Sequence, residues 1–350
     1  MALVAPLPGA YAVVTIDPTT TLRLVGVGDD PIAAEECRQM TCGKYIACIT
    51  KPRNGFDMLF SHCAFDIDFV VQGLLADNPT VFYHHSMSVP IAPNASHPTG
   101  RRSMKALPPL PWDDCYHTFP FHVVGRCAIT RSKDYPQSCL SSREASILCD
   151  LRRNDQNHVF NLEEARDSGS PNFISPIPEL DDDVQMMIEF ADELPPATTP
   201  WWRDIIKVTA LQNEQLDSLA DAPQGSCVTD QVEFSPPSEE LSPFLRFTYD
   251  LSSFDSPPDP SGFFEELKEL RGIYQRHLDR RHNEVIDLIE QANVVDETHM
   301  AKLKAKGLRV EGQKKSRGLR RLSRHYVDLV LMRTVDLSKY TWTRDARWMY

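Results

Sequence analysis

The sequence predicts an α+β protein: a mostly antiparallel N-terminal sheet with a few helices, an acidic proline-rich middle, and a helical C-terminal region. Three observations predict it. β-Branched and aromatic runs broken by turn residues fill residues 1–170. Residues 171–260 hold 13 of the 27 prolines, with 18 acidic against 3 basic residues. From Phe264 onward, apolar side chains recur in steps of three and four. The corresponding divisions are 1–170, 171–260 and 261–350.

The elements follow in order. Tyr11–Ile16 and Leu22–Val27 are β-branched runs around Asp17-Pro18-Thr-Thr-Thr21, which reads as a hairpin with a longer loop. Pro31–Met40 reads as a helix, with Asp29 or Asp30 at its cap. Lys44–Thr50, Phe65–Val71 and Thr80–Val89 read as strands. Between Pro90 and Pro111 the prolines remove ladder donors and fix φ, which predicts a loop. Ser141–Arg153 reads as a helix capped by Ser142. Glu179–Leu194 and Trp201–Ala220 are short helices within acidic loops, and the prolines of Asp221–Pro260 suggest partial disorder. At the C-terminal end, Phe264, Leu267, Leu270, Tyr274, Leu278, Val285 and Leu288 form a heptad-like seam interrupted at Arg281. Gly318 to about Thr334 is a second amphipathic segment.

The 350 residues carry 37 Lys+Arg against 49 Asp+Glu, a net charge of −12. With 41% hydrophobic residues, a sizeable core can form, and collagen, short disulfide scaffolds and membrane-spanning bundles are excluded. The first basic residue is Arg23 and prolines break the N-terminal apolar stretch, which fits a secretory signal poorly; the expected location is cytoplasmic or nuclear. The nine cysteines form no Cys-x-x-Cys pair, and the group Cys37, Cys42, Cys48, Cys63 with His62 lacks zinc-site spacing. No metal or cofactor is expected.

Charge is distributed unevenly: residues 300–350 hold 14 basic and 4 acidic residues. Lys302, Lys304, Lys306, Arg309, Lys314, Lys315, Arg317, Arg320, Arg321 and Arg324 fall within 23 residues. Such a run neutralises phosphates, serves nuclear import, meets a protein partner, or docks on the acidic segment 171–260.

Motifs for chemistry are weaker. Asp66-x-Asp68 on a strand puts both carboxylates on one face, as in a metal-holding pair, but alternating aromatic-in and acidic-out is the usual look of a half-buried strand. Asp181-Asp182-Asp183 lacks a further aspartate one turn on and suits a helix start. His84-His85, taken as strand residues, face opposite sides. His277 and His282 stand on different helix faces. The densest reactive cluster is Asp113, Asp114, Cys115 and His117, followed by His122. A Cys-His nucleophile or a carboxylate–His pair can be drawn from it, as can a plain loop-to-strand junction anchored by Trp112. Neither a nucleophile elbow, a zinc-protease helix nor a phosphate loop occurs.

Pro108-Pro109-Leu110-Pro111-Trp112-Asp113-Asp114-Cys115-Tyr116-His117 resembles a stretch found in a group of basidiomycete fungal proteins of unassigned activity. The resemblance covers about a dozen residues and implies no fold or site. Because genes for some fungal proteins of unassigned role lie in secondary-metabolite clusters, it implies a contextual link to that metabolism. Two functional expectations follow. The first is a non-enzymatic intracellular protein acting through macromolecular contacts of its basic helical C-terminal region. The second is an enzyme or accessory protein of fungal secondary metabolism using the Asp113–His122 region.

Overall fold

The computed structural model describes residues 3–53, 62–132, 134–168, 177–178, 180–193 and 241–305. Helices and strands coexist, with a five-stranded barrel among the strands. In chain order the elements are β1 (Leu3–Ala5), β2 (Ala10–Ile16), α1 (Pro18–Leu24), α2 (Pro31–Gln39), β3 (Tyr45–Pro52), β4 (His62–Gln72), β5 (Val89–Pro90), β6 (Cys115–Ala128), β7 (Thr130–Ser132), α3 (Ser142–Ser168), α4 (Asp182–Glu193), β8 (Phe244–Thr248) and α5 (Ser261–Ala305). The chain forms two units. Of the described residues, those within 3–21, 39–193 and 242–268 make up one; those within 22–38 and 269–305, with Leu241, make up the other.

In the first unit the strands run β4-β3-β2-β8-β6, and a β4–β6 pairing closes the sheet. All barrel pairs are antiparallel except β6–β8, which is parallel. The two faces of the sheet follow from register and side-chain alternation. On one face, Tyr11, Val13, Ile46, Cys48 and Val70 join a cluster with Ile147, Leu148 and Leu151 of α3. A five-stranded barrel cannot enclose a helix, so this face is the outside. The interior therefore holds the alternate residues Ala12, Val14, Ile16, Ala47, Ile49, Phe65, Ile67, Phe69, Leu245 and Cys127, all buried. Gly125 also faces inward: a Cβ there would lie 2.5 Å from the Leu245 Cδ1 atom. Phe263 packs on Phe69 and Tyr45, with ring centroids 4.6 and 5.6 Å apart. The Tyr45 hydroxyl and the Gly43 amide both donate to Oε1 of Glu266, at 2.6 and 2.8 Å.

Several elements differ from the sequence expectation. No hairpin joins Tyr11–Ile16 to Leu22–Val27. Asp17 accepts from the Thr20 amide at 3.0 Å and Pro18 occupies the first helical turn, so Asp-Pro-Thr starts α1. Thr80–Val89 is not a strand: Asn78 caps a 3₁₀ turn at Pro79–Val81, a second spans His85–Met87, Tyr83 makes an isolated bridge with Asn78, and Val89–Pro90 pairs with β6. The cap of α3 is Ser141, whose hydroxyl accepts from the Glu144 amide at 3.1 Å, rather than Ser142. This helix continues to Ser168, since no glycine or proline interrupts it. Within the stretch read as acidic loop, Phe244–Thr248 is a barrel strand between β2 and β6. Trp201–Ala220 and Gly318–Thr334 lie outside the described residues.

In the second unit, Asp30 caps α2 through Oδ1, which accepts from Ile32 and Ala33. Its Oδ2 meets His277 Nδ1 at 2.6 Å and accepts from Arg280 at 2.7 Å. Glu36 accepts from Arg276 at 2.7 Å. The hydrogen bonds from Arg280 and then His277 hold the Asp30 carboxyl well below the usual carboxylate range. On α5, Leu270 and Ile273 are buried, whereas Val285, Leu288, Val294 and Val295 are exposed. Burial therefore fades near the Arg281 break in the heptad seam, and Arg281 itself pairs with Glu284 in water-facing i,i+3 geometry. No described helix is long and apolar enough to cross a membrane.

Candidate functional site

The residues Asp113 to His122 enter β6 from a turn. Asp113 and Asp114 are exposed, and Asp114 adopts a left-handed φ of 56°, which aspartate tolerates. The Trp112 indole is buried and donates to the Phe254 carbonyl at 3.1 Å. Cys115 is buried, and its thiol lies 3.6 Å from the Trp112 carbonyl oxygen. Burial, reinforced by Asp114 and Asp113, pushes that thiol up to about 12, the opposite of an activated nucleophile. His117 is buried between Tyr11 and the strand backbone. Its Nδ1 lies 3.2 Å from the Phe69 carbonyl, which can only accept, so Nδ1 carries the proton. Its Nε2 is then an acceptor for the Tyr11 hydroxyl at 3.0 Å. Burial lowers the His117 pKa, which keeps the ring neutral. Both nitrogens are thus engaged, and neither serves Cys115. His122 turns to Asp66, at 3.0 Å.

His122 belongs to a different cluster on the barrel's outer face. Register places Tyr11, Cys48, Asp68 and His122 in one row across β2, β3, β4 and β6. Arg152, reaching down from α3, donates to both Asp68 oxygens at 2.7 and 2.8 Å. The Thr50 hydroxyl donates to Asp68 Oδ2 at 2.8 Å, and Arg53 donates to Asp66 at 2.8 Å. Both carboxylates of Asp66-x-Asp68 do share a face, as the alternation requires, but that face lies under α3. Burial would raise the Asp66 carboxyl; the hydrogen bond and charge of His122, with Arg152 and Arg53, overcome it and hold the group at about 2. Asp68 is likewise lowered, Arg152 overcoming burial. Two carboxylates this fully neutralised by guanidinium and imidazole suit a structural tie between α3 and the barrel better than a metal seat.

Two arginines of the proline-rich loop fasten it in the same manner. Arg101 forms a bidentate pair with Asp155 at 2.7 and 2.8 Å, and Arg102 a bidentate pair with Glu144, both bonds at 2.7 Å. The sequence reading missed these partners and Arg152. Their only signal is an Arg-Arg doublet in the loop and another on the helix, which fixes no partner.

A further group does fit a metal. Oδ of Asp77, one nitrogen of His84 and one of His85 lie within 4.8 Å of one another. The expectation that the two histidines face opposite sides required a strand; in the 3₁₀ turn their rings lie on the same side, centroids 4.1 Å apart. Among the described residues the cysteines give no comparable group: Cys48 faces outward and Cys63 inward on neighbouring strands. Of the basic run, Lys302 and Lys304 are described, both exposed on the last turn of α5. Lys306 to Arg324 lie outside the described residues. The chain matches no family model, no curated protein and no solved structure.

Proposed function

We propose that this chain is a non-enzymatic protein that works through macromolecular contacts, with its basic C-terminal region as the contact surface and nucleic acid as the partner. The observation that supports this reading is the form of α5. Its first turns are packed, its later turns are exposed, and its last turn presents Lys302 and Lys304 at the start of a run of ten cations. A helix C-terminus favours such cations, and a dense run of them releases counterions from a phosphate backbone. The compartment that goes with this reading is the cytoplasm or nucleus. The rival reading, an enzyme or accessory protein of fungal secondary metabolism using Asp113–His122, lacks a paired nucleophile and base in that region.

The test is gel retardation of duplex and single-stranded nucleic acid by the full chain at low salt, repeated with the ten cations from Lys302 to Arg324 replaced by glutamine. Binding that weakens steeply with salt and vanishes in the variant is the expected result. No retardation at low salt overturns the nucleic-acid reading. Crosslinks from the basic run to residues 171–260 would assign it to intramolecular docking instead.

A further inference from the structure

The segment Asp77–Ser86 is a small loop whose stem is drawn together by its own backbone. Asn78 and Tyr83 exchange both hydrogen bonds, at 2.8 and 3.0 Å, enclosing Pro79 to Phe82. Phe82 makes the return possible with a left-handed φ of 52°. The residues flanking this pair are Asp77 and His84, which therefore stand side by side. His85 is the next residue, and the turn that begins there brings its ring alongside that of His84 instead of across a strand.

The three side chains converge. Asp77 Oδ1 lies 2.7 Å from His85 Nδ1, and Oδ2 lies 3.7 Å from His84 Nε2. Asp77 Oδ1 also accepts from the His85 amide at 2.7 Å, which fixes the carboxylate plane. Behind His84, the Ser86 hydroxyl sits 2.8 Å from Nδ1. Ser86 itself is buried. The Ser86 amide donates to the same Nδ1 at 3.2 Å, so in the ion-free ring Nε2 carries the proton and is turned toward Asp77. Binding through Nε2 moves that proton to Nδ1, where the Ser86 hydroxyl accepts it, as a supporting partner does.

We infer that Asp77, His84 and His85 form a zinc site with three protein ligands. Two imidazoles and one carboxylate suit Zn²⁺ better than the oxygen-seeking Mg²⁺ or Ca²⁺. The ion takes the place of the Nδ1 proton that His85 donates to Asp77 Oδ1; as that proton leaves to solvent the ring carries one at Nε2, so His85 ligates as the neutral imidazole. Asp77 is half exposed, with 48% of its side chain accessible, so a fourth position is open to water.

The experiment is calorimetric titration of the full chain with Zn²⁺ alone, with Co²⁺ absorption to report tetrahedral coordination. One ion per chain is expected. Asp77→Asn, His84→Ala and His85→Ala should each abolish that event, and Ser86→Ala should weaken it by roughly tenfold. Thermal melts of the zinc-free variants check that each is folded. Independently of any variant, zinc should protect His84 and His85 of the unaltered chain from carbethoxylation, read by mass spectrometry. Absence of binding overturns the site. Binding that survives all three ligand replacements, or zinc that leaves both histidines reactive, overturns it as well.

Discussion

At the scale of single residues, Arg152 decides whether the barrel's outer face can be buried. Asp66 and Asp68 sit together on that face, and only cations make their burial tolerable. Arg152→Ala leaves two buried carboxylates facing a cavity, and such a broken buried pair costs about 3–5 kcal/mol. Urea unfolding should show that loss, whereas the exposed neighbour Arg153→Ala should cost under about 1 kcal/mol. The same cluster sets a pH dependence. Asp66 is held at about 2 in the folded chain, against about 3.9 in an unfolded one. A depressed carboxyl stabilises the fold fully above its unfolded value and ceases to do so as pH falls through its folded value. Stability should therefore fall between about pH 4 and pH 2, and Asp66→Asn should flatten that part of the acid titration. An unchanged acid limb in the variant would remove Asp66 from the account. The sharing of one face by both aspartates was legible from strand alternation. Their partner was not, because Arg152 lies 84 residues from Asp68 and nothing local points to it.

At the scale of elements, the legible features were those with a local cause. β3, β4 and α2 follow from alternation and capping, and the structure places them close to the expected spans. The expected hairpin failed because Asp-Pro-Thr serves a turn and a helix start equally well, and Asp17 here also accepts from Arg246 of β8. β8 was hidden for a different reason. Phe244-Leu-Arg-Phe-Thr248 alternates correctly, but it is five residues inside a stretch whose average composition is acidic and proline-rich. Its fit to the barrel depends on Gly125, which leaves room for Leu245 where β6 and β8 run parallel. Gly125→Ala should overpack that point and cost about 1–3 kcal/mol. In a Leu245→Ala background the same change should cost much less, since the clashing side chain is gone. Equal penalties in both backgrounds, measured by thermal unfolding, would mean that the glycine matters for some other reason.

At the scale of the whole molecule, the acidic middle is no appendage to the N-terminal sheet. The barrel closes only when chain from beyond residue 240 returns to pair with both β2 and β6. Phe263 and Glu266 then secure the Tyr45 end of the same unit. Without that return, β2 and β6 become open edges, and Ile16 and Cys127 lose Leu245, the neighbour that register places beside them. A chain ending at Glu240 should therefore lack a cooperative thermal transition and the near-ultraviolet dichroism of packed aromatics, although it keeps four of the five barrel strands. A chain ending at Ala305 retains every described element and should melt cooperatively, while losing eight of the ten cations of the basic run. Folding and polyanion binding are thus separable by two truncations. If the shorter chain melts like the longer one, β8 is dispensable and barrel closure is not what holds the first unit together.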